Sequence, residues 1–364
     1  MKPFLLLGAA LCALPFYAGA STVRPAVGKP LQQAETLISR QNYHAALLKV
    51  QQAKAVGGLT GYESLVIAQV QGAAAAGAGD YPAAAAAYQA VLAAGSETPA
   101  EKVALTQAIA GFYYQAQDYP HAAAWTSRYI DAGGSDPRAR ALLAQSYYQS
   151  GDFAHAEQAA WRDIKAAAPE RAAPPEGELQ LLASSAEKSG DQNGYRAALE
   201  LLLKAYPTPA YWAQAIALVT ASPDFADALT LSVYRLRLAT GTLTAPADYE
   251  DYTERAILAG QPAEAKRVID QGFSAGILNA ATDAGHAERL KTLAAAKAQD
   301  ESGAPAAQPQ GDPLTSGIAA FDAGQLTQAV QHFQAVPSFD NPNGNAAADL
   351  ARLWAIRASA PTGK

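Results

Sequence analysis

Residues 143–156 read Leu143-Ala144-Gln145-Ser146-Tyr147-Tyr148-Gln149-Ser150-Gly151-Asp152-Phe153-Ala154-His155-Ala156. A run of good helix formers stops at Gly151, where a residue free to turn left-handed ends a helix. A second helical run begins after Asp152-Phe153. Two helices joined by so short a turn must lie antiparallel and touch along their length.

The same phrase recurs along the chain, as Asn42-Tyr43, Asp80-Tyr81, Asp118-Tyr119 and Asp224-Phe225, with degenerate forms at Asp191, Gln261 and Gln325. The steps between these eight markers are 38, 38, 34, 39, 33, 37 and 64 residues. A fixed period of this size identifies a repeat architecture, and the last step leaves room for a lost or decayed repeat. Four residues after the marker stands Ala46, Ala84, Ala122, Ala156, Ala228, Ala265 or Ala329; only the Asp191 frame differs, with Tyr195. Eight residues before it a small residue recurs: Ala34, Gly72, Ala110, Ala144, Ala183 and Gly317, with Ala217 seven before its marker and Thr253 the exception. Helices that pack 8–10 Å apart need small side chains where their axes come nearest. Apolar residues late in the second helix (Leu92, Ile130, Ile164, Leu203, Leu236, Phe273) are expected to face the next hairpin.

Boundary residues agree. Thr98-Pro99-Ala100-Glu101 reads as an N-cap, a first-turn proline and a capping-box glutamate. Pro137, Pro209 and Pro246 open first helices, and Pro82, Pro120 and Pro262 open second ones. The pattern resembles the tetratricopeptide repeat, and Leu143, Ala144, Tyr147, Gly151, Phe153 and Ala156 carry it most clearly, with Trp212 at that family's tryptophan position. Several periods exceed the family's 34 residues, and its terminal proline is mostly missing. The resemblance implies an all-α, right-handed superhelical array of antiparallel helical hairpins. A narrower resemblance, to exported proteobacterial repeat proteins encoded beside TonB-type energy-transduction components, implies an envelope assembly.

Residues 1–20 read as a signal peptide, with Lys2, an apolar stretch from Phe4 to Tyr17, and Ala18-Gly19-Ala20 as the cleavage site. Pro15 and the shortness of the run argue against a membrane anchor. Leu11 before Cys12 argues against lipidation. Cleavage would remove the single cysteine and leave a formal charge of 26 − 33 = −7. The expected product is periplasmic, has no span in the mature chain, and lacks the basic surface that nucleic acid requires. Residues 21–300 form the expected array, 301–313 a flexible Pro- and Gly-rich linker within which Pro305, Pro309, Gly311 and Pro313 fall, and 314–364 a terminal hairpin and a half-polar capping helix. A helix is expected at about 283–299, and a longer loop over 168–178.

Chemistry is thin. His121 and His155 occupy equivalent turns, roughly one helix-packing distance of 10 Å apart, too far to share a zinc ion that needs ligands at about 2 Å. No Gly-x-Ser-x-Gly occurs, and Gly72 and Gly77 have a phosphate loop's spacing but Ala78 replaces its lysine. Glu250 and Glu254 could act as acid and base, with nothing in the sequence converging on them. No catalytic residue, metal site or cofactor is expected.

By resemblance to the family, positions 2, 5, 9 and 12 of each first helix line a concave groove. They supply Gln69, Gln107, Tyr114, Gln145 and Tyr148 as candidate partner-binding residues, with Gln180 and Glu250 further along. Tyr114 and Tyr148 share one position and should stack as a ladder. Tyrosine offers apolar area and a hydroxyl at small entropic cost, and glutamine can bond a peptide backbone in both directions. The expectation is a scaffold that binds a protein or peptide partner. The alternatives are a glycan-acting cell-wall enzyme on a helical scaffold and an assembly factor that uses the outer surface or the ends.

Overall fold

The computed structural model describes residues 22–167, 173–279, 285–301, 311–341 and 344–360. The signal-peptide reading and most of the expected linker lie outside them. The described residues form helices and no strand. Four hairpins come first: α1 (Pro25–Ser39) with α2 (Tyr43–Lys54), α3 (Gly61–Ala78) with α4 (Tyr81–Ala94), α5 (Pro99–Gln115) with α6 (Tyr119–Asp131), and α7 (Pro137–Gln149) with α8 (Phe153–Ala167); α9 (Glu176–Ser189) and α10 (Gln192–Ala205) succeed them. Then follow α11 (Pro209–Thr220), α12 (Thr230–Ala239), α13 (Pro246–Leu258), α14 (Pro262–Ser274) and the lone α15 (His286–Glu301). The chain ends in α16 (Pro313–Asp322), α17 (Leu326–Gln334) and α18 (Ala346–Ser359). The array of consecutive hairpins expected from the turn phrase is therefore present.

The turns explain the phrase. The marker is the N-cap of the second helix in six frames, at Asn42, Asp80, Asp118, Asp191, Gln261 and Gln325. In seven of the eight frames, all but that of Asp224, the residue before the marker has positive φ: Gln41, Gly79, Gln117, Gly151, Gly190, Gly260 and Gly324. Five of these seven are glycine, the residue that adopts this conformation without a Cβ clash. The capping box of Thr98 and Glu101 is formed, and a second one joins Thr60 to Glu63.

The chain divides into two compact units, residues 1–174 with 184–189 and residues 175–183 with 190–364. In the first, successive helices from α1 to α8 pack in order, and first helices also meet each other, α1 on α3 and α5 on α7. Close approach occurs where the small residues predict it: a Cβ on Gly72 would lie 2.8 Å from the Tyr88 ring. Gly77 receives the Tyr43 ring of the preceding hairpin in the same way. Leu105, Ile109, Ala84, Ala85 and Val91 form the core between hairpins.

In the second unit two expectations are corrected, and the long step holds the helix expected there. Asp224 does not cap the second helix; a 3₁₀ turn at Asp227–Leu229 intervenes, α12 starts at Thr230, and both Ala217 and Ala228 are exposed. Asp224 instead accepts from Ser222 Oγ and, at 3.1 Å, from the backbone N–H of Ala346. The long step before Gln325 holds one helix, α15, packed on α13 and α14. Its start at His286 and that of α9 at Glu176 trim the expected loop and helix bounds by a few residues. Finally, α18 is no half-polar cap. Ten of its fourteen residues are buried, so it has no solvent face to present. It packs on α10, α11, α16 and α17. Trp354 is buried against the Phe321 and Phe333 rings at 5.2 and 5.9 Å. Asp349, 2% exposed, is held by Arg196 at 2.8 Å and by Arg352, which also donates to Glu200.

Candidate functional site

The five candidate residues all lie on first helices of the first unit: Gln69 on α3, Gln107 and Tyr114 on α5, Gln145 and Tyr148 on α7. All are half-buried, and they divide by what the protein already does with them. Gln107 Nε2 donates to Asp136 Oδ2 at 3.1 Å, beside the small gap lined by Ala110, Thr126, Tyr129 and Leu142. Asp136 is the N-cap of α7, so Gln107 helps to fix the next hairpin. The Tyr148 hydroxyl lies 2.9 Å from Ser184 Oγ of α9, and Lys188 Nζ stands 4.6 Å from the Tyr148 ring centre. The Lys188 ammonium, and after it the Ser184 hydroxyl, draw the Tyr148 phenol below its usual range. Burial, and then the neighbouring Tyr119, push Tyr114 the other way.

The expected Tyr114–Tyr148 ladder is not formed. Each ring turns edge-on to the aromatic that opens the second helix of its own hairpin: Tyr114 to Tyr119 at 5.4 Å and Tyr148 to Phe153 at 5.4 Å. Edge-to-face pairing is the favoured aromatic geometry, and the intrahairpin partner lies nearer than the next repeat. The Gln69 and Gln145 side chains make no hydrogen bond among the described residues. Gln180 belongs to the second unit, where it donates to the Tyr211 hydroxyl at 2.6 Å, and that hydroxyl donates to Glu176.

The histidines have definite seats. His121 Nδ1 lies 2.8 Å from the Asp118 carboxylate and its ring stacks on Tyr113 at 5.0 Å; His155 repeats this with Asp152 at 2.8 Å and Tyr147 at 5.2 Å. Sequence spacing alone gave no sign of these paired Asp-His-Tyr contacts, although identical residues at identical offsets could have suggested them. The acid pair Glu250 and Glu254 does acquire a neighbour. His286 of α15 places Nδ1 3.3 Å from Glu250 and Nε2 3.2 Å from Glu254, an ion-pair arrangement that ties α15 to α13. Among the described residues no group of three or more His, Asp or Glu could hold a metal ion, and no helix is long and apolar enough to cross a membrane.

In comparison with known proteins, no family model matches the chain and no curated relative matches it.

Proposed function

We propose that the protein is an exported, tetratricopeptide-like scaffold that holds a polypeptide partner on the first-helix face of its first unit, around Tyr114 and Gln145. The observation that carries this reading is the uneven use of equivalent positions. Gln107 and Tyr148 are spent on neighbouring hairpins, while Gln69 and Gln145 keep both amide donors and acceptors and Tyr114 keeps its hydroxyl. Half-buried polar groups without internal partners gain most from a ligand that satisfies them. The reading places the protein in the periplasm, in an envelope complex of the kind that its TonB-linked resemblance implies.

A photo-crosslinking residue at position 145 tests it against the same residue at Gln158, which is exposed on α8. One discrete protein adduct in intact cells from position 145, absent from position 158 and lost on Tyr114→Ala, is expected. Equal labelling from both positions would move binding off this face.

A further inference from the structure

Two aromatic corners in the first unit use the same pair of positions and differ in what fills them. In the later one Tyr148 meets Phe153 edge-on at 67°, and Lys188 Nζ stands 4.6 Å from the first ring centre and 5.0 Å from the second. Lys188 comes from the following hairpin, three residues before its marker Asp191, and Ser184, seven before it, meets the Tyr148 hydroxyl. In the earlier corner Tyr114 meets Tyr119 edge-on at 70°. The corresponding residues of the next hairpin are Gln149 and Gln145, three and seven before Asp152. Neither carries charge, and no cation of the described chain lies over Tyr114 or Tyr119.

An aromatic face is the negative end of a quadrupole and attracts an ammonium within about 6 Å. The protein shows this chemistry in the later corner with its own lysine. We infer that the Tyr114–Tyr119 corner binds a lysine side chain of the partner polypeptide, in the seat that Lys188 takes next door. The Gln145 and Gln149 amide oxygens can accept from that ammonium. Gly111, three residues before Tyr114 and so on the same side of α5, has nothing within 4 Å of where a Cβ would sit, which leaves room for the chain that carries the lysine. The formal charge of −6 favours approach of a cation. The inference rests on the proposed partner-binding face and specifies what that face recognises.

The test follows tyrosine ring resonances by NMR in the full chain while acetyl-Gly-Lys-Gly-amide is added, with its Nε-acetylated form as control. Saturable shifts are expected at Tyr114 and Tyr119, roughly two- to fivefold weaker with the acetylated peptide. Gln149→Lys, a change at an exposed position, should fill the corner from within and abolish the response. Lys188→Gln should open the second corner and add a saturable response at Tyr148. Absence of saturation at Tyr114, equal response to both peptides, or binding unaffected by Gln149→Lys overturns the assignment. A crosslinked partner that depends on Tyr114 but survives acetylation of its lysines overturns the lysine seat and leaves the face itself standing.

Discussion

Arg24 grips Glu63 with both arms: Nε and a terminal guanidinium nitrogen each donate to one carboxylate oxygen at 2.8 Å. The same Arg24 reaches the carbonyls of Gly57 and Gly58, and the same Glu63 accepts the backbone N–H of Thr60. One ion pair therefore fastens the start of α1 to the start of α3. Arg24, first among the causes, and then the Thr60 backbone hold Glu63 at about 2, below its ordinary 4.5. A depressed carboxylate stabilises the fold above its unfolded pKa, and that contribution disappears as protons bind. Stability should be level near neutrality and fall between about pH 4.5 and 2. Glu63→Gln should melt lower at pH 7 and lose part of this acid dependence, as thermal scans by circular dichroism would show. An unchanged acid limb would assign it to other carboxylates.

The glycine at 72 sits under a ring. Gly72→Ala would drive a methyl into Tyr88 and should cost about 1–3 kcal/mol in urea unfolding, as overpacking does. Gly72→Ala with Tyr88→Leu should recover part of that loss. Additive losses would mean that the ring and the glycine are independent.

Gln117 does with a side chain what glycine does in five equivalent turns. Its φ is 61°. Gln117→Gly relieves the left-handed strain, worth roughly 1 kcal/mol, and should raise the urea midpoint. Gly151→Gln should lower it by a similar amount.

Tyr114 and Tyr148 occupy one repeat position and should titrate in opposite directions. Tyr148 should ionise below the usual phenol range and Tyr114 above it. Ring-carbon NMR across alkaline pH would resolve them. Lys188→Gln should raise Tyr148 and leave Tyr114 where it is.

Asp349 is the buried centre of the seam that holds α18. Asp349→Ala takes from Arg196 its buried carboxylate, while Arg352 keeps Glu200 and the Phe339 and Asn341 carbonyls, and removing one partner of a buried pair in this way costs about 3–5 kcal/mol. Red-shifted tryptophan emission, from solvent reaching Trp354, should accompany the loss. A variant with native emission and native melting would show the seam to be ornamental.

The hairpins were legible because their determinants are local. The left-handed residue, the capping side chain and the helix-opening prolines lie within a few residues of each turn. The Asp224 frame deceived because the same two residues serve a different purpose: the carboxylate bonds Ala346, 122 positions away, and no local pattern reports that. The α18 charges misled for the same reason. Asp349, Arg352 and Arg357 made the last helix look half-polar, but their partners Arg196, Glu200 and the Ala239 carbonyl come from α10 and α12. On the candidate face, family positions put the candidates on first helices, where the structure also has them. They could not separate Gln107, claimed by Asp136, from Gln145, which is not claimed, because that choice depends on the following hairpin.

The burial of α18 bears on the order in which the protein can mature. Contacts in the first unit run between neighbours in sequence and can form as soon as each hairpin exists. The second unit has its core helix last, joined to α10 across 152 residues by Arg352 and Glu200. Such distant pairings are slow to form and cannot begin until α18 has been made. A ribosome that has yet to complete α18 would therefore hold an open second unit, while the hairpins of the first unit are already free to close.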